Sequence, residues 1–385
     1  MTDSDYFRRL TTALREAHIH QPCLVLDLDR LDQNIASVKA GLPVGAALRL
    51  VDKSLPCLPL IRHVRDAFGA DLVMTFHAPV TLAVLRDLPT ARLLFGKPMP
   101  VELARRILDQ GGADAAARIT WLIDTPDRLA QYAALADAAG LQFDICFEVD
   151  IGLHRGGLAT PEALAECLAR LDGHPKLRCR GVMAYEAHIG HIPKLFGGPG
   201  AARRKAVSLF RQFVAMLGPD QRDILNLGGS STALLYDRYV GANEFSMGSA
   251  FVKPTDFDVP SLDALRPAVF IATPILKVVD VQLPGLDARS RFAQKLGLLP
   301  RRGCYIYGGK WMAKPVFPSG MKANGTIGFS TNQQFFELPP DRPAAVDDYA
   351  FLRPTQSEFV LQQFGSIRVF SNSRIADDWP ALPLS

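Results

Sequence analysis

Between residues 24 and 252 the chain alternates short apolar, β-branched runs with longer stretches in which apolar positions recur every three or four residues. Such alternation predicts parallel strands, because a parallel neighbour is reached only through a crossover long enough to hold a helix. The strand candidates are 24–29, 46–53, 71–76, 91–96, 119–124, 143–150, 177–186 and 224–227. Between them lie amphipathic segments such as 100–110, 125–138, 160–171 and 201–217, several opened by the Thr or Pro that starts helices. A run of strand–helix units over about 230 residues predicts a TIM-type (β/α)8 barrel, α/β in class, ahead of an open doubly wound sheet.

After Pro254 the texture changes to proline, glycine and short β-rich runs at 268–281, 304–309, 325–329 and 358–370. This predicts a C-terminal β-rich domain joined near residues 254–267. The expected division is a barrel at 22–258 and a second domain made of 1–21 and 259–385, with an N-terminal helix at 6–17 packing on that second domain.

At 385 residues the chain is too long for one small module. Its 48% apolar and 21% charged content excludes a disordered or fibrous chain. A net charge of +4 without a basic stripe gives nucleic-acid binding no support. The cysteines, Cys23, Cys57, Cys146, Cys167, Cys179 and Cys304, are scattered without metal-ligand spacing and suit reduced thiols. The polar, acidic start lacks a secretory pattern, and no segment has the roughly 18 uninterrupted apolar residues of a membrane helix. A cytoplasmic protein with a small-molecule substrate and no membrane partner is expected.

Lys53 ends an apolar run, Ala46-Ala47-Leu48-Arg49-Leu50-Val51-Asp52-Lys53, just before a helix start. An amine held partly out of water at the C-terminal mouth of a barrel strand can form a Schiff base. In Phe147-Glu148-Val149-Asp150-Ile151-Gly152-Leu153-His154-Arg155 a strand runs into a glycine-flanked loop that carries Arg155, a permanent cation able to hold a phenolate or carboxylate. Asn226-Leu227-Gly228-Gly229-Ser230-Ser231-Thr232, followed by the helix-compatible 233–236, suits an anion cup and is neither a dinucleotide fingerprint nor a P-loop. Ala184-Tyr185-Glu186-Ala187-His188-Ile189-Gly190-His191 puts an aromatic, a carboxylate and two imidazoles at a strand end, suited to acid–base work.

These motifs follow one another in a specific order: Leu24–Asp29, then Lys53, Glu148 to Arg155, Ala184 to His188, the Gly-Gly-Ser-Ser turn and Glu244-Phe245-Ser246-Met247-Gly248-Ser249. That order resembles the fold-type III pyridoxal 5'-phosphate enzymes, and within them the D-threonine aldolase / D-serine dehydratase-like branch with an alanine racemase-type N-terminal barrel. The resemblance implies that Lys53 carries the cofactor as an aldimine and Arg155 meets its phenolic oxygen. It places Gly228, Gly229, Ser230 and Ser231 around the phosphate, Tyr185 beside the ring, and Asn226 and Ser246 within the same site.

The chain also departs from its relatives. Racemases of this fold set an arginine against the pyridine nitrogen in an Arg-Pro-Gly segment, where this chain has Ser246-Met247-Gly248. Tyr305 and Tyr307 are loose candidates for the second racemase base. Metal-dependent members of the branch carry a His-x-Cys or His-x-Asp pair where Gln356 and Glu358 stand, a poor set for a transition metal, so no metal is expected. Acid–base work then falls to His188 and His191, and substrate binding to Lys310, Lys314, Gln356 and Glu358. The implied function is a lyase for a D-configured or β-hydroxy amino acid, by retro-aldol cleavage or dehydration and deamination. The alternatives are an amino-acid racemase and a non-catalytic protein of pyridoxal phosphate homeostasis. The resemblance also implies a homodimer.

Overall fold

The computed structural model describes residues 3–236, 240–282, 285, 287–325, 327–341 and 343–383. The chain forms two compact units: Met1–Gln33, Val252–Asp258 and Arg266–Ala381 make one, and Asn34–Phe251, Val259–Leu265 and Leu382–Ser385 the other.

Strand β1 (Cys23–Asp27) belongs to the first of these units. The second unit is a closed barrel of β2 (Ala47–Val51), β3 (Leu72–Thr75), β4 (Arg92–Phe95), β5 (Ile119–Ile123), β6 (Phe143–Glu148), β7 (Leu177–Met183), β8 (Ile224–Leu227) and β9 (Glu244–Met247). All neighbours are parallel, and pairing of β2 with β9, Ala47 opposite Glu244 and Leu50 opposite Met247, closes the ring. The intervening helices start and stop where local chemistry dictates. Thr125 and Thr160 accept from the amides of Arg128 and Ala163, each ahead of a proline in the first turn, and Gly140 ends its helix at φ 68°.

The expected barrel fold is present, with one strand exchanged. The run 24–29 does not open the barrel: β1 pairs antiparallel with Val269–Asp280 and parallel with Ser366–Ser371, so residues 22–33 fall in the β-rich unit. A short apolar run buried on both faces reads the same in either sheet, and only its partners distinguish them. The missing strand is β9, whose inward positions are the polar Glu244 and Ser246, which hide its strand character.

The β-rich unit holds a nine-stranded sheet. Its strands are β10 (Val269–Asp280), β11 (Arg302–Ile306), β12 (Ala313–Phe317), β13 (Lys322–Ala323), β14 (Phe335–Leu338), β15 (Tyr349–Pro354), β16 (Ser366–Ser371) and β17 (Arg374–Pro380), together with β1. The helix Asp3–Glu16 lays Phe7 against Phe270 and Phe351 of this sheet, ring centroids 5.3 and 4.9 Å apart. One expected β run is absent and one is shorter: the described part of 325–329 is not a strand, and 358–370 divides into the helical turn Ser357–Val360 and β16. Among the described residues, no helix is long and apolar enough to cross a membrane.

Candidate active site

The barrel interior carries a buried polar layer. Arg49 on β2 and Glu244 on β9 form a two-point ion pair, 2.6 and 2.7 Å, with both side chains out of solvent. Asn226 on β8 donates to Glu244 at 2.8 Å and exchanges hydrogen bonds with the Ser246 hydroxyl at 2.8 and 3.0 Å. By strand direction Ser246 stands one layer nearer the mouth than Glu244. Asn226 and Ser246 thus satisfy one another inside the barrel, and Ser246 presents a neutral hydroxyl where an arginine would bring charge.

At the C-terminal ends of the strands the side chains converge. Lys53 follows β2 in a tight turn, its Nζ 4.8 Å from the centre of the Phe76 ring, which follows β3. The Phe76 ring occupies the space over Gly96 after β4, where a Cβ would stand 2.2 Å from it. His77, beside Phe76, is held below the usual histidine range by partial burial and then by Lys97 and Lys53, so it is neutral near pH 7. Asp52, next to Lys53, is fully buried, and burial pushes its carboxyl up to about 7 against the pull of Thr75 and Lys53.

From β6 and β7 come Arg155 and Tyr185. The Arg155 guanidinium lies over the Tyr185 ring at 5.1 Å and bonds Glu148 Oε1 at 3.3 Å. The loop that presents it is fixed by Asp150, whose carboxylate accepts from the amides of Gly152 and His154 at 2.9 and 3.0 Å. His188 is half-buried against Gly152, its Nδ1 without a hydrogen-bond partner, and burial lowers its pKa. His191 ends the same short turn on the exposed surface.

After β8 the chain turns sharply. Gly228 has φ 84°, a left-handed conformation that favours glycine, and a Cβ on Gly229 would stand 2.5 Å from Tyr185 Cε2, so ring and turn are in direct contact. The Gly228 amide donates to Glu186 Oε2 at 3.1 Å and the Gly229 amide to Thr232 Oγ1 at 2.9 Å. Ser230 Oγ accepts from the amides of Gly248 and Ala250, both at 3.1 Å. Among the described residues the amides of Ser230 and Ser231 have no hydrogen-bond partner. Residues 233–235 form one short 3-10 turn rather than the expected helix, so the cup depends on turn amides and not on a helix dipole. Ser249 Oγ donates to Ser54 Oγ at 3.0 Å, and a Cβ on Gly248 would meet the Val51 carbonyl at 2.7 Å, which locks the ends of β9 and β2 together.

Lys310, Lys314, Gln356 and Glu358 all belong to the β-rich unit. Lys310, Lys314 and Gln356 are exposed and Glu358 is half-exposed. Tyr305 packs edge-on to Phe335 in that unit, and Tyr307 is largely exposed. Three mouth residues that sequence reasoning did not single out are Asp52, Phe76 and His77, while Glu186, read there as a strand-end carboxylate, is buried behind the glycine turn. Phe76 and His77 sit in a Thr-Phe-His run at a strand end, the same signal that marked Lys53.

The parallel barrel delivers a lysine, an arginine on a tyrosine face and a glycine-serine turn to one mouth. The chain belongs to the alanine racemase N-terminal domain family, whose model matches residues 26–255. The chain spans about half the length of the curated relatives it matches. It is 26% identical over 195 residues to the 3-hydroxy-D-aspartate aldolase of Paracoccus denitrificans, 49% of each chain. To the D-threonine aldolase of an Arthrobacter species it is 24% identical over 238 residues, 60% of this chain and 58% of that one. The solved D-threonine aldolase of Filomicrobium marinum has the same fold, with TM-score 0.75 and 18% identity over 93% of this chain and 94% of that one.

The mouth fits pyridoxal 5'-phosphate, the cofactor of this fold family. Two unpaired serine amides and a glycine turn too tight for side chains suit a phosphate, and Lys53 lies within the same ring of strand ends.

Proposed function

We propose that the protein is a pyridoxal phosphate-dependent lyase acting on a D-configured or β-hydroxy amino acid, by retro-aldol cleavage or by dehydration and deamination. The observation that carries this reading is Lys53 on the barrel mouth, with the Arg155–Tyr185 stack and the glycine-serine turn on the same rim. The curated relatives it matches, an aldolase of 3-hydroxy-D-aspartate and one of D-threonine, support the substrate class.

In this reading Lys53 holds the cofactor covalently, Ser230 and Ser231 hold its phosphate, Arg155 its phenolic oxygen, and Tyr185 one ring face. When bound, the cofactor supplies an electron sink that weakens the bonds at an amino acid's Cα. Arg155 is held in place by Glu148 and by the tyrosine beneath it. His188, whose pKa burial lowers, would take the proton from the substrate's β-oxygen in a cleavage; in a dehydration it would first take the Cα proton and then give that same proton to the leaving hydroxyl.

The same reading makes the protein a cytoplasmic homodimer, with residues 303–314 or 354–358 of one copy near the cofactor of the other. It also needs no tightly bound zinc or manganese, since Gln356 and Glu358 are a weak pair of ligands. The test is incubation with D-threonine, D-serine, 3-hydroxy-D-aspartate and L-alanine, with and without EDTA. Glycine with an aldehyde, or ammonia with a keto acid, is expected. Inversion of alanine alone would establish a racemase, no turnover of any substrate with cofactor bound would establish a carrier, and loss of activity on chelation restored by a divalent ion would establish a metal enzyme.

A further inference from the structure

Glu186 lies directly behind the glycine turn. It is completely buried, its Oε2 accepts from the Gly228 amide at 3.1 Å, and its Oε1 accepts from the Tyr236 hydroxyl at 3.1 Å. Among the described residues no cation pairs with it. The groups that face it, again among the described residues, are the Thr232 and Tyr236 hydroxyls and the Gly228 amide; Arg203 acts on Tyr236 and is bonded to the Leu235 carbonyl at 2.5 Å. A phosphate seated on the Ser230 and Ser231 amides would therefore share one turn with a buried carboxyl. Two anions that close in a low-dielectric site are not both tolerated.

Resting on the cofactor reading above, we propose that Glu186 is a proton-carrying brace of the anion cup: it is protonated when the turn holds a phosphate ester, so phosphate binding takes up one proton. Burial already pushes its carboxyl up to about 7 against the pull of the Thr232 and Tyr236 hydroxyls and nearby amides, which places the exchange near neutral pH. Below that value the cup is ready for an anion; above it, binding must first return a proton to Glu186.

The experiment measures dissociation constants of pyridoxal phosphate and of pyridoxal, which lacks the phosphate, from pH 6.5 to 8.5 in the full chain and in Glu186→Gln. The ratio of the two constants isolates the phosphate from the chemistry of Lys53. Relative to the variant, the wild-type preference for the phosphorylated form should fall by up to about tenfold per pH unit above 7. Superimposable profiles would overturn the proposal while leaving the cofactor reading intact; failure of the wild-type chain to bind pyridoxal phosphate at any pH would overturn both. Tyr236→Phe provides a second arm. Removing a donor from Glu186 should move the fall to higher pH, and an unmoved fall would also count against the proposal.

Discussion

Lys53 and Asp52 are chain neighbours placed in opposite surroundings: the amine looks across the mouth onto Phe76, while the carboxyl is sealed inside the barrel. If Lys53 is the anchor, borohydride reduction and peptide mapping will find the pyridoxyl label there, and Lys53→Ala will lose both the label and the yellow absorbance. A label on another lysine would contradict the assignment. For Asp52 the folded value of about 7 exceeds the ordinary 3.8, so the folded state holds the proton more tightly than the unfolded one. Its contribution to stability is complete below about pH 4 and is lost as pH rises through 7. Asp52→Asn removes that loss, and urea unfolding should show the variant gaining on wild type between pH 5 and 8 by on the order of 3 kcal/mol. Parallel stability profiles would show that Asp52 titrates normally.

At the scale of elements, the barrel is tied across its closing seam by a buried charge pair rather than by apolar packing alone. Arg49 on β2 is satisfied by Glu244 on β9 and by the Val73 carbonyl at 3.2 Å. Glu244→Ala strands a buried guanidinium and should cost about 3–5 kcal/mol in urea unfolding. Pairing it with Arg49→Met should recover much of that loss, and equal losses in the single and double variants would mean that the stranded guanidinium is not the source of the cost. The glycine turn was legible as a loop signature, yet its function is set by which amides are already taken. Gly228 and Gly229 spend theirs on Glu186 and Thr232, leaving those of Ser230 and Ser231, and no spacing in the sequence reveals that division.

At the scale of the molecule, the residues expected to bind substrate are divided between units: the histidines and the cofactor groups belong to the barrel, Lys310, Lys314, Gln356 and Glu358 to the β-rich unit. The homodimer reading predicts that light scattering at assay concentration gives twice the chain mass, and that activity falls on dilution along with the dimer. A fully active monomer would refute it. Dilution separates this question from the chemistry, since each copy retains its own Lys53.

The sequence by itself determined the barrel class, the helices with their Thr-Pro starts, and the candidate positions of Lys53, Arg155, Tyr185 and the glycine turn, because strand alternation, caps and strand-end residues are local signals. Only the tertiary structure decided which sheet β1 joins and that Glu244–Met247 completes the barrel, since both depend on pairing partners far along the chain. Likewise, Asp52, His77 and Glu186 became site residues through burial: an acidic residue or imidazole written in a chain has an ordinary pKa, and it acquires an unusual one only where the fold withdraws water from it.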